Sequence, residues 1–179
     1  MHGLVSVLDE AHFAQVHALW AELEKACGLN GIHVTPIPHF SYQIASDYDW
    51  AGLQVVMEEL AAQTQPFQVN TTGLALFTGQ RIVAYLPVVR TAALSRLHQQ
   101  IWERVRPLSV APNPYYDPDL WMPHISLAYQ DVTPERLACL MNCLAGRSFD
   151  WQIKIDNLTL IYEPDGSIGS IRFQYPFGA

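Results

Sequence analysis

Two short stretches carry the residue types that proton-transfer chemistry needs, and they are nearly the same. Pro38-His39-Phe40-Ser41-Tyr42 and Pro123-His124-Ile125-Ser126-Leu127 both read Pro, His, apolar, Ser, apolar. Side chains alternate between the two faces of an extended strand. His39 and Ser41 therefore share one face and Phe40 and Tyr42 the other; His124 and Ser126 stand in the same way against Ile125 and Leu127. An imidazole with an unperturbed pKa of about 6.5 gives or takes a proton near neutrality. A hydroxyl beside it donates a hydrogen bond to an anionic oxygen. Two such faces brought together supply a base, an acid and two anion-binding hydroxyls.

The flanks repeat as well. After the first stretch, Asp47-Tyr48-Asp49-Trp50 leads into a helical pattern from Ala51 to Ala62 and then a strand-like run from Phe67. After the second, Asp131-Val132-Thr133-Pro134 leads into a helical pattern from Glu135 to Leu144 and then a run from Trp151. The histidines stand 85 positions apart, and Phe67 and Trp151 stand 84 apart. One duplicated unit with a one-residue length change explains both offsets. His33-Val34-Thr35 also reads His-x-Thr, but Pro36 cannot donate to a sheet ladder, and the offset selects His39.

The elements that must position these residues follow in order. Leu4 to Leu8 is a first strand, and Asp9 caps a helix from Glu10 to Ala26 that Gly28 ends. Strand His39 to Ala45 and helix Trp50 to Gln63 follow. Phe67 to Phe77 and Arg81 to Val89 read as two strands joined by a hairpin at Thr78-Gly79-Gln80. A helix from Thr91 to Val105 precedes a proline-rich loop, Pro107 to Pro118, that is either a binding wall or lid or a packed surface loop. Strand His124 to Tyr129, helix Pro134 to Leu144 and strands Trp151 to Ile161 and Ile168 to Tyr175 complete the chain, the last two joined by a turn over 163–166. Trp20 and Trp102 hold comparable places in the first and third helices. The order predicts an α+β fold that is two-lobed and pseudo-symmetric: two mostly antiparallel sheets line a central cleft, with helices outside.

The totals narrow the function. The 179 residues fit one domain, 1–179, with 50% hydrophobic and 15% charged residues, which is globular rather than disordered. The net charge is −7 with 10 Lys+Arg, and no basic run stands out, which argues against a grip on extended RNA. No signal-peptide pattern or bilayer-length apolar run is present, so a cytoplasmic protein without a membrane partner is expected. Cys27, Cys139 and Cys143 are expected as reduced thiols, with Cys139 and Cys143 facing the core. His2, His12, His17 and His98 read as solvated or ordinary packing residues.

Two His-apolar-Ser-apolar motifs in a duplicated chain of this size resemble the 2H phosphoesterase superfamily, which includes 2'-5' RNA ligases and 2',3'-cyclic nucleotide phosphodiesterases. The resemblance covers essentially the whole chain. Both hydroxyl positions are Ser where Thr is common, and a position often basic in the RNA-ligase-like members is Tyr129. It implies a catalytic set of His39, His124, Ser41 and Ser126 acting without metal or other cofactor. One imidazole takes a proton from water, the other protonates the departing sugar oxygen, and the hydroxyls hold the phosphoryl oxygens. Which histidine does which stays open. The expected partner is a small nucleotide or an RNA 3'-end with a cyclic phosphate, and the protein is expected as a monomer. Ligation or cleavage of a 2'-5' RNA linkage and a non-catalytic nucleotide-binding module are the other readings.

The repeat suggests further cleft residues. Arg81 to Pro87 aligns with Ser170 to Pro176. Ile82, Ala84 and Leu86, with Ile171, Phe173 and Tyr175, form an expected core face. Arg81, Val83 and Tyr85, with Ser170, Arg172 and Gln174, form the opposite one. Tyr85 for base stacking, Arg172 for a phosphate and Gln43 beside Ser41 are the substrate-binding candidates. A serine hydrolase would need a buried Asp partner and a nucleophile elbow, and a metal site would need carboxylates beside the histidines; neither pattern is visible.

Overall fold

The computed structural model describes residues 1–164 and 167–178. Among these, eleven strands and four α-helices follow in the order β1 (His2–Val7), α1 (Glu10–Cys27), β2 (His39–Ala45), β3 (Asp47–Tyr48), α2 (Trp50–Gln63), β4 (Phe67–Asn70), β5 (Ala75–Phe77), β6 (Val83–Pro87), α3 (Ala92–Val105), β7 (Ser109–Val110), β8 (His124–Ala128), α4 (Pro134–Leu144), β9 (Gln152–Ile155), β10 (Asn157–Tyr162) and β11 (Ser170–Pro176). Each helix begins with a side chain that accepts from an otherwise unpaired backbone N–H: Asp9, Asp49, Thr91 and Thr133. Gly28, at φ 68°, ends α1 in the left-handed region that a side chain would oppose.

The two copies are exchanged rather than stacked. One antiparallel sheet has the order β11-β10-β1-β2 and the other β5-β6-β8. The last strand of the first copy, β5, therefore lies beside the first strand of the second, β6. In return β10 of the second copy lies beside β1 of the first. Strands β4 and β9, equivalent in the repeat, pair with each other, Phe67 opposite Ile155. The helices are exchanged too: α1 packs on α4 and β8, while α2 and α3 pack behind the sheet that holds β2. Phe40, Tyr42, Ile125 and Leu127, the apolar partners within the two motifs, are all buried. Each such side chain contributes on the order of 2 kcal/mol by leaving water.

Several expectations are corrected. The runs 67–77 and 151–161 are each two strands, because each crosses from one sheet to the next. The first breaks around Gly73, at φ 60°, and the second at Asp156. The apolar face Ile171, Phe173, Tyr175 is core only in part: β11 is an edge strand, Phe173 and Tyr175 are half-buried against the core, and Ile171 is 45% exposed. A bulge between Leu160 and Ile161 leaves Arg172 without a partner in the register and breaks the alternation there. The expected free thiols are also overturned, since Cys27 and Cys139 form a disulfide and Cys143 alone is free. The expected turn at 163–166 falls partly outside the described residues. No helix among the described residues is long and apolar enough to cross a membrane.

Candidate active site

The two histidines are set by the same local device. His39 Nδ1 donates to the carbonyl of Ile37 at 2.5 Å, and His124 Nδ1 donates to the carbonyl of Met122 at 2.7 Å. A carbonyl only accepts, so Nδ1 carries the proton in both rings and Nε2 is left as the working nitrogen. The intervening prolines hold the ladder instead: Pro38 O accepts from Leu8 N and Pro123 O from Val88 N, at 3.1 and 2.9 Å. The residue before each proline thus turns its carbonyl to the ring rather than to the sheet.

A bulge follows the serine in each motif. Val5 pairs with Ser41 and Leu4 with Gln43, so Tyr42 is the extra residue; Tyr85 pairs with Ser126 and Ala84 with Ala128, so Leu127 is. The extra residue reverses the alternation. Ile44 and Tyr129 consequently join the serines on the cleft side, while Gln43 and Ala128 turn into the core. The Gln43 assignment is therefore corrected: its side chain is fully buried, and neither amide atom has a protein partner.

At the bulges each serine carbonyl is taken by an indole. Trp121 Nε1 donates to Ser41 O at 2.8 Å and Trp20 Nε1 to Ser126 O at 3.1 Å. Trp121 is fixed in turn. His98 stacks on it at 3.7 Å with the rings 2° from parallel, and donates from Nε2 to Tyr42 O at 3.0 Å. Arg90 donates to the carbonyls of Trp121 and Pro118. None of these contacts is legible in the local sequence. His98, expected as a solvated or ordinary packing residue, is fully buried against the first motif, and burial pushes its pKa down to about 4. Trp102, the counterpart of Trp20 by position, is only half-buried.

His39, Ser41, His124 and Ser126 line one cleft of about 740 Å³. Leu76, Phe77 and Val83 wall one part; Asn113, Tyr115 and Tyr116 of the proline-rich loop, with Leu120 and Met122 just after it, wall another, which makes that loop a wall. Tyr116, on the same loop, lies with its hydroxyl against Ser41. Arg81 is the one Lys or Arg lining the cleft among the described residues. Burial lowers the pKa of both catalytic candidates: His39 falls to about 4, opposed by its bond to Ile37 and aided by the charge of His124, and His124 falls in the same direction. Burial thus biases both imidazoles toward the neutral form in the free site. An anion placed between them would raise both.

Tyr85 and Arg172 are placed differently from the expectation. Tyr85 is 3% exposed, stacked on Phe77 at 4.1 Å and tilted against His124 at 5.1 Å, so it backs the His124 ring and offers no free face. Arg172 is outside the cleft lining, its guanidinium 4.3 Å over Trp50 and 5.1 Å over Tyr162. The signal that could have found Arg81 was already present, since it shares the strand face assigned to Tyr85.

A family model described as the 2'-5' RNA ligase superfamily matches residues 8–166. Among solved structures, TT0787 of Thermus thermophilus is similar at a TM-score of 0.69 and 16% identity, covering 99% of this chain and 98% of that one. A crystal structure described as a phosphoesterase is similar at a TM-score of 0.61 and 12% identity, again over 99% and 98%. At these identities the likeness is one of fold. A search of curated proteins gives no match.

Proposed function

The chain belongs to the 2'-5' RNA ligase superfamily, and from that premise we propose that it is a phosphoesterase that opens 2',3'-cyclic phosphates or related small cyclic nucleotides. One observation carries the reading. Two imidazoles, each tied through Nδ1 to a backbone carbonyl so that Nε2 is left free, line one cleft together with Ser41 and Ser126. In the reaction one Nε2 takes a proton from water as the water oxygen bonds to phosphorus. The other, protonated, gives its proton to the sugar oxygen as that P–O bond breaks. The product is a phosphomonoester, and the serine hydroxyls hold the nonbridging oxygens. The chain's own residues perform each step, and the reading invokes no resident cofactor.

The size of the substrate follows from the charge of the cleft. A single Arg among the lining residues suits one phosphate better than several. The test is a screen of 2',3'-cyclic mononucleotides and of RNA ending in a cyclic phosphate, with purified protein and EDTA present. Turnover of the mononucleotides in EDTA is the expected result. Binding without turnover would make the protein a nucleotide-binding module. Loss of activity on chelation, with rescue by one divalent ion, would move it to a metallohydrolase.

A further inference from the structure

Three sulfur atoms gather outside the cleft. Cys27, the last residue of α1, is bonded to Cys139 on α4, and Cys143, one turn further along α4, has its Sγ 3.9 Å from that of Cys27. All three sulfurs lie within 4.8 Å of one another, and each residue is half-buried. Positions i and i+4 face the same way on a helix, so α4 offers Cys27 two thiols side by side. The cluster sits where α1 hands over to the segment that walls the cleft. Asn30 N donates to Asp131 Oδ2 at 2.9 Å, a Cβ on Gly31 would meet Tyr129 O at 2.2 Å, and Ile32, Val34 and Tyr129 line the cleft itself.

We infer that Cys27, Cys139 and Cys143 form a thiol–disulfide exchange site in which Cys27 alternates between two partners, loaded by a low-molecular-weight disulfide such as oxidised glutathione. In loading, the Cys27 thiolate attacks one glutathione sulfur and expels a glutathione thiolate. Cys139 or Cys143, as thiolate, then attacks Cys27 Sγ and expels the second. Two protein thiols are oxidised, one glutathione disulfide is reduced to two glutathione thiols, and the two protons given up by the protein thiols end on those. Exchange itself transfers no net electrons: the Cys143 thiolate attacks Cys27 Sγ, the Cys27–Cys139 bond breaks, and Cys139 leaves as thiolate. The attack must come in line with the bond that breaks, which rotation of Cys143 about its Cα–Cβ bond has to supply.

The test uses the full chain equilibrated in glutathione redox buffers, quenched in acid, alkylated and mapped by mass spectrometry. Wild type should yield both Cys27–Cys139 and Cys27–Cys143 peptides. Cys139→Ser should still close Cys27–Cys143, with the glutathione ratio at half-oxidation moved by less than about tenfold, which is about 30 mV. Cys27→Ser should form no bond within the cluster. Wild type yielding only the Cys27–Cys139 peptide would overturn the inference, and needs no variant to fold. So would Cys139→Ser staying reduced in a buffer that oxidises half of the wild type. Reduced wild type that retains one zinc ion and shields all three thiols from alkylation would replace exchange with a soft-metal site.

Discussion

His39 and His124 differ from ordinary strand histidines in one respect: each has its Nδ1 proton committed to a carbonyl two residues upstream. That commitment leaves Nε2 as the nitrogen free to exchange a proton. Replacing either by Ala should lower kcat on a cyclic phosphate by at least about 10²-fold, the scale of a lost general acid or base. The double variant should fall far short of the product of the two, because the pair acts as a unit. Full activity in His39→Ala would sink the assignment. Ser41→Ala and Ser126→Ala should each cost less than either histidine. The pH profile carries a sharper expectation. Because burial lowers both imidazoles, His39 to about 4, the bell-shaped kcat/KM of the free enzyme should peak on the acid side of 6.5 rather than at neutrality. The kcat profile should peak at higher pH, since a bound phosphate anion raises both groups. The limbs report the coupled pair and not one ring. A kcat/KM maximum above neutrality would count against two desolvated imidazoles.

At the scale of elements, the bulges after Ser41 and Ser126 decide which side chains reach the cleft, and the indoles of Trp121 and Trp20 take up the serine carbonyls there. Trp121→Phe keeps most of the packing and removes the donor. An unpaired buried carbonyl costs about 1–3 kcal/mol, which should appear as a lower midpoint in urea. The loss in kcat/KM should exceed that of Ile153→Val, whose cost of about 0.5–1.5 kcal/mol falls on a buried strand site that does not line the cleft. Equal activity in the two variants would reduce Trp121 to a packing role. His98 joins α3 to β2 and is held neutral, its pKa at about 4 against about 6.5 unfolded. Below pH 6.5 the unfolded chain takes up a proton that the folded chain refuses. Stability is therefore full above that pH and falls towards pH 4, with a slope of up to about 1.4 kcal/mol per pH unit from this one group. His98→Gln keeps a donor near Tyr42 and removes the titration, so urea titrations between pH 6.5 and 4 should show a shallower fall. An unchanged slope would mean that other groups dominate it.

At the scale of the molecule, exchange of strands between the two copies brings the motifs to one cleft. Each motif strand lies in a different sheet, and each sheet draws strands from both ends of the repeat. The net charge of −7 and the single Arg at the cleft among the described residues set the expected salt response. One phosphate releases few counterions, so KM for a cyclic mononucleotide should rise only slightly between low and physiological salt. Comparing a mononucleotide with an RNA ending in a cyclic phosphate at two salt concentrations checks this. A strong preference for the RNA with a steep salt slope would restore the RNA-end reading.

The sequence by itself determined the duplicated order of strands and helices, the pairing of His with Ser on one strand face, and the caps of the first helix. All of these rest on neighbours within a few residues or on one fixed offset. Helices α2 and α4 and strand β2 fall where the pattern put them for that reason. Only the tertiary structure decided what depended on partners far along the chain. The breaks in 67–77 and 151–161 are changes of sheet, which leave no mark on local hydrophobicity. The bulges at Tyr42, Leu127 and Arg172 reverse an alternation that the sequence shows as unbroken, and so Gln43 was misplaced. Tyr85 lost its open face to Phe77, and Arg172 was drawn to Trp50 and Tyr162. Cys27 met Cys139 across 112 residues because α1 crosses over to pack on α4. Periodicity tells which face a side chain takes, but only the packed chain decides what that face meets.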